Sequence, residues 1–155
     1  MKRTTLGAAL ALIAVGLTAC DDHGRLAANT KICANFQPAS GQAAAPALSD
    51  AAAPVDECLR RWAYSLASSR DTADVVADAT VSACGSALTR WSQAALAQPQ
   101  GGEGLSLTTG QPTNPLAEHS AFARGRAVFY VVQARAGHCA PPPAANGAPT
   151  GVPTS

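Results

Sequence analysis

The sequence predicts an all-α fold: a small disulfide-stapled bundle of about three helices with long disordered linkers and a disordered tail. Three observations predict it. Three stretches repeat apolar residues at helical spacing, no stretch alternates with period two for long enough to form a strand, and segments rich in Ala, Pro and Gly separate the periodic ones. A chain of 155 residues has room for one domain of this kind.

The first helix is predicted from Val55, Cys58, Leu59, Trp62 and Leu66, which recur at i, i+3, i+4, i+7 and i+11. Pro54 suits a first helical position, and Asp56 and Glu57 stand where the amino-terminal dipole favours anions. The second helix is predicted from Thr72 to about Ala97, with Asp71 as N-cap and Asp74 three residues on as a carboxylate form of the capping box. Its apolar stripe is Val76, Thr80, Cys84, Ala87, Leu88, Trp91 and Ala95. The third begins at Asn114–Pro115 as cap and first position and stops at Gly137, expected as a left-handed C′ residue. Phe122, Gly125, Phe129, Val132 and Ala136 fall on one of its faces, which is predicted to be the buried one.

Between the helices lie two stretches dominated by breakers, "QPASGQAAAPALSDAAAP" from Gln37 to Pro54 and "QPQGGEGLSLTTGQPTNP" from Gln98 to Pro115. The glycines of the second do not make a phosphate loop, because no Gly-Lys-Ser/Thr follows them. "APPPAANGAPTGVPTS", from Ala140 to Ser155, is expected as a disordered tail.

The amino terminus carries an address. Lys2 and Arg3 precede an apolar run of fourteen residues, Leu6 to Ala19, short of the about 20 needed to span a bilayer and typical of a secretory signal peptide. The run ends in "LTAC", Leu17 to Cys20, which resembles the lipobox of bacterial lipoproteins. That resemblance implies cleavage before Cys20, a diacylglyceryl thioether on its sulfur and an acylated new amino terminus, so that acyl chains such as palmitate anchor the chain to a membrane. Asp21 directly after the cysteine resembles the inner-membrane retention signal of enterobacterial lipoproteins, with the outer membrane as the alternative destination. The resulting division is a signal peptide over 1–19, a lipid-anchored tether and linker over 20–54, a helical domain over 55–139 and a tail over 140–155.

With Cys20 lipidated, Cys33, Cys58, Cys84 and Cys139 remain, an even set for an oxidising compartment such as the periplasm. Cys58 and Cys84 lie about equally far from the turn at Arg70–Asp71, on the apolar stripes of the first two helices, so an antiparallel hairpin sets them side by side. Cys58–Cys84 is the expected pair, which leaves Cys33–Cys139. On the chain-entropy model the two loops contribute about 3.5 and about 5 kcal/mol, needed where short alanine-rich helices bury a small core.

Constellations for chemistry are scarce. Glu118–His119 falls in the first turn of the third helix and reads as a solvated end, and no Gly-x-Ser-x-Gly, Ser-x-x-Lys or CxxC occurs. The histidines, His23, His119 and His138, do not offer zinc-ligand spacing, so no metal or cofactor is expected, and the chain reads as non-enzymatic. The net charge of +1 over the whole chain gives no footprint for nucleic acid. Trp62 and Trp91 share stripes with Cys58 and Cys84 and read as indoles packed on the disulfide. Arg124, Arg126 and Tyr130 are expected near the polar side of the third helix, available to a partner.

The stretch "CLRRWAYSLASSRDTADVVADATVSAC", Cys58 to Cys84, is similar to small uncharacterised cysteine-containing helical proteins of alphaproteobacteria, and that resemblance implies no activity. The function expected from the whole is a membrane-anchored periplasmic lipoprotein in protein interaction or envelope maintenance, with an envelope protein as partner through residues such as Arg124 and Arg126. The alternative is a small-ligand binding module with a pocket between the helices lined by Trp62, Trp91 and Phe129.

Overall fold

The computed structural model describes residues 27–36, 52–98, 104–106 and 109–152. The expected signal peptide, with Cys20 and Asp21, lies outside the described residues. Those described form four helices: α1 (Ala53–Leu66), α2 (Ala73–Ala83), α3 (Gly85–Leu96) and α4 (Pro115–Ala136). Two short antiparallel ladders accompany them, β1 (Gly104–Leu105) with β2 (Pro112–Thr113), and β3 (Ala144–Ala145) with β4 (Ala148–Pro149).

The helix expected from Thr72 to Ala97 is therefore two. Cys84 leaves helical geometry at φ −98°, ψ 11°, and its N–H is shared between the carbonyls of Thr80 and Val81. The residues around the break, Thr80, Val81, Ser82 and Gly85, are weak helix formers, so a bend there is inexpensive. It lets α2 and α3 each lie along α4. Asp71 is also not the N-cap expected: Thr72 holds that position without a side-chain cap, and the Asp71 carboxylate instead accepts from the Ser69 hydroxyl.

α4 is the axis of the bundle and touches the other three helices. α1 runs parallel to it, with Asp56 beside Arg126 and the Ala67 carbonyl beside Arg135. α2 runs antiparallel, with the Asp71 carbonyl at Arg135 and Asp78 at Arg124. The face of α4 turned inward is Ala123, Ala127, Val131 and Ala134, with Tyr130 at its edge. Small side chains there let three helices close on one, because interaxial distance follows the size of the residues at the contact. The predicted stripe of Gly125, Phe129, Val132 and Ala136 consequently points out: Phe129 and Val132 are 53% and 50% exposed.

At its start α4 matches expectation, with the Asn114 side chain accepting from the Ala117 N–H at 3.0 Å. At its end the left-handed residue is His138 (φ 50°), while Gly137 stays right-handed at φ −86°. The Cys139 N–H bonds the Ala134 carbonyl and the His138 N–H bonds that of Arg135, the two bonds of a Schellman motif set one residue later than expected. Gly137 has a different reason to be glycine. A Cβ there would lie 2.7 Å from the Cys139 sulfur and 3.0 Å from that of Cys33.

The disulfides join Cys58 to Cys84 and Cys33 to Cys139. Cys58 and Cys84 are buried in the core with Val55, Leu59, Tyr64 and Val76. Part of the segment expected as tether, residues 27–36, packs on the bundle: the Asn29 N–H reaches the Gly137 carbonyl at 2.8 Å, and Phe36 meets Tyr64 edge-on at 5.0 Å. Tyr64 donates to Gln133 and accepts from the Ala34 N–H, tying that segment to α1 and α4 together.

The tail expected to be disordered is likewise structured over 140–152. Asn146 (φ 52°) and Gly147 (φ 79°) turn the chain between β3 and β4, the left-handed pair of a two-residue hairpin. Pro142 and Pro149 are buried, and Arg61 of α1 donates to the Thr150 carbonyl at 2.6 Å. Gly151 (φ 78°) passes directly over that guanidinium.

Candidate functional site

The residues expected to meet a partner divide into distinct environments. Arg126 is an internal clasp. Its Nε donates to Asp56 Oδ1 at 2.6 Å and its Nη2 to Oδ2 at 3.1 Å, a two-pronged grip on the first turn of α1. Tyr130 donates its hydroxyl to the same carboxylate at 2.7 Å and accepts from Arg126. The hydrogen bond to Asp56 raises the Arg126 pKa, and burial, helped by the bond to Asp56, holds the Tyr130 phenol well above its ordinary value. Tyr130 is thus buried and neutral, not on a polar face. Arg124 remains outside, 57% exposed, with Asp78 at 3.5 Å and 59% exposed as a surface ion pair of little weight.

The three aromatics expected to line a pocket sit in different surroundings. Trp62 packs half-buried against the core from α1. Phe129, on the outward side of α4, lies against Tyr130 with the Arg126 guanidinium 5.6 Å from its ring centre. Trp91 stacks on His119 with ring centres 3.5 Å apart and meets Phe122 edge-on at 5.3 Å. The turn of α4 that directs its alanines inward carries Phe129 away from the interior.

His119 is consequently no solvated helix end. Its Nδ1 lies 3.1 Å from the hydroxyl of Ser92, a buried residue of α3, and burial lowers its pKa against a smaller opposing pull from Glu118. A serine hydroxyl paired with imidazole is the beginning of a nucleophile–base arrangement. Here Ser92 is 4% exposed, so the pair acts as a clamp between α3 and α4 under the Trp91 ring. Nothing in the sequence singled out Ser92 among many serines. The contact depends on the bend at Cys84, which brings α3 onto the first turns of α4.

Among the described residues no group of three or more His, Cys, Asp or Glu is placed to hold a metal ion. None of the described helices is long and apolar enough to cross a membrane. No protein-family model, curated protein or solved structure matches the chain. A functional reading therefore rests on the chain's own features, of which two stand out. One is the closed set of bridged cysteines. The other is the outward face of α4, where Gly125, Phe129, Val132 and Ala136 are all exposed.

Proposed function

We propose that the chain is a bacterial lipoprotein, anchored through a lipidated Cys20 and facing the periplasm, whose domain works as a non-enzymatic interaction or envelope-maintenance module. The observation that carries this reading is the cysteine count. Cys33, Cys58, Cys84 and Cys139 are used up in two bridges, and the fifth cysteine stands directly after the apolar run in the lipobox-like "LTAC". Two disulfides also fit an oxidising compartment. The role expected of such a module is to present a rigid surface to an envelope protein, and the two bridges supply the rigidity. Asp21 favours the inner membrane as the site.

The test is intact mass and fractionation of the full chain expressed in a bacterium. The expected result is a membrane-bound product that begins at Cys20 and carries a diacylglyceryl and an acyl group, with Cys20→Ser released from the membrane. An unlipidated Cys20 in a mature chain rules the anchor out. In-cell crosslinking of the anchored protein then identifies its partner.

A further inference from the structure

The outward face of α4 is an apolar surface near the point where the anchored segment joins the domain. Phe129 and Val132 are 53% and 50% exposed, and Gly125 and Ala136 extend the face by one turn at each end. Ile32, 37% exposed, is held beside it, because its carbonyl accepts from Gln133 Nε2 at 2.9 Å. The Asn29 N–H meets the Gly137 carbonyl at the carboxyl end of the same helix. Asn29 follows Cys20 by nine positions, a reach of about 30 Å at full extension. From Gly137 back to Phe129 is about 12 Å along the helix axis.

We propose that this face of α4 lies on the phospholipid bilayer that holds the anchor, with Phe129, Val132 and Ile32 at the boundary between headgroups and acyl chains. The inference rests on lipidation of Cys20 as read above. A short tether keeps the face at an effective concentration on the order of mM at the surface, so a patch too weak to bind by itself suffices to orient the domain. Apolar side chains gain from this boundary through the area they bury in it. A second copy of the chain is a poorer occupant. Gly125 to Ala136 spans about 17 Å of a helix about 10 Å across, a strip on the order of 170 Å², against the roughly 800 Å² per partner of a stable protein interface. The anchor thus fixes where the domain is, and α4 fixes which way it faces.

The experiment uses the full chain, extracted in lipidated form from bacterial membranes and reconstituted into phosphatidylcholine vesicles with acyl chains brominated close to the headgroups. Tryptophan is introduced as Phe129→Trp or Val132→Trp on the face, and as Ala79→Trp at an exposed site on α2. The expected result is a blue shift and loss of most of the added emission for both α4 variants, with Ala79→Trp unquenched. If all three float with the vesicles and none is quenched, or if Ala79→Trp is quenched equally, the anchoring reading stands and the docking of α4 is overturned. A blue shift that grows with protein concentration and ignores bromination assigns the face to a second copy and also overturns it. Protein that lacks lipid on Cys20 and does not float overturns both readings.

Discussion

Ser92 Oγ lies 3.1 Å from Nδ1 of His119, and this contact, covered by the stacked Trp91 ring, holds α3 against α4. The ring sits in an environment that disfavours its charge, which makes the contact sensitive to pH.

Burial lowers the His119 pKa from its ordinary 6.5. The folded state therefore prefers the neutral ring, and the stability this contributes is fully present above 6.5 and is lost as pH falls through the lowered folded value. Melting temperature is expected to drop between about pH 7 and about pH 5 by more in the native chain than in His119→Gln. Trp91 emission, followed in a Trp62→Phe background, should report the same titration with a midpoint below 6.5. Superimposable pH profiles for the two proteins would show that the ring is not so placed.

The Asp56–Arg126–Tyr130 cluster predicts an unequal mutant series. Arg126→Gln leaves Asp56 without its ionic partner and is expected to destabilise by about 1–2 kcal/mol, less than for a fully dry pair because the guanidinium stays partly solvated. Tyr130→Phe removes one neutral donor and should cost about 1 kcal/mol. A double-mutant cycle by urea unfolding is expected to show coupling between the two, since both side chains serve the same carboxylate. Strict additivity would contradict the shared acceptor.

Gly137→Ala places a methyl group against both sulfurs of the Cys33–Cys139 bridge. The expected loss is about 1–3 kcal/mol, typical of overpacking, accompanied by free thiol at Cys33 and Cys139 in a quantitative labelling assay. Gly125→Ala is the control, with open space at its Cβ and a helix interior that favours alanine. It should be neutral or mildly stabilising.

Removing the bridges one at a time should separate two kinds of stabilisation. Cys58→Ala with Cys84→Ala loses about 3.5 kcal/mol of loop entropy and also opens the core, so it is the variant expected to unfold. Cys33→Ser with Cys139→Ser gives up the larger loop, worth about 5 kcal/mol on the same model, yet leaves the helical core filled. It should release residues 27–36 while far-UV circular dichroism keeps its helical shape.

Much of the architecture was legible because it depends on spacing. The periodicity of Val55 to Leu66, the Asn114 cap and the equidistance of Cys58 and Cys84 from their turn are all one-dimensional facts. The orientation of α4 was not legible, because periodicity weights large apolar residues and the centre of this bundle is selected for small ones. Alanines at 123, 127 and 134 win that place by allowing close approach, and Phe129 and Val132 are left outside. The bend at Cys84 escaped for a related reason: one apolar stripe runs across it, and only packing on α4 shows that two helices share it. The C-terminal hairpin was different, since Asn146–Gly147 is a recognisable turn pair that a proline-rich composition outweighed. The Ser92–His119 contact had no local signal at all.

The two bridges are nested, Cys58–Cys84 lying inside the loop closed by Cys33–Cys139. If the chain is exported amino terminus first and Cys20 is lipidated as proposed, the next two cysteines to meet an oxidant are Cys33 and Cys58, which are not partners. Pairing in order of arrival would trap Cys33 in the wrong bond until Cys139 appeared, 106 residues after it. In that setting the nested connectivity is reached by shuffling of disulfides and not by pairing in order of arrival. An α1–α2 hairpin formed before Cys139 emerges would set Cys84 beside Cys58 and leave Cys33 free for Cys139.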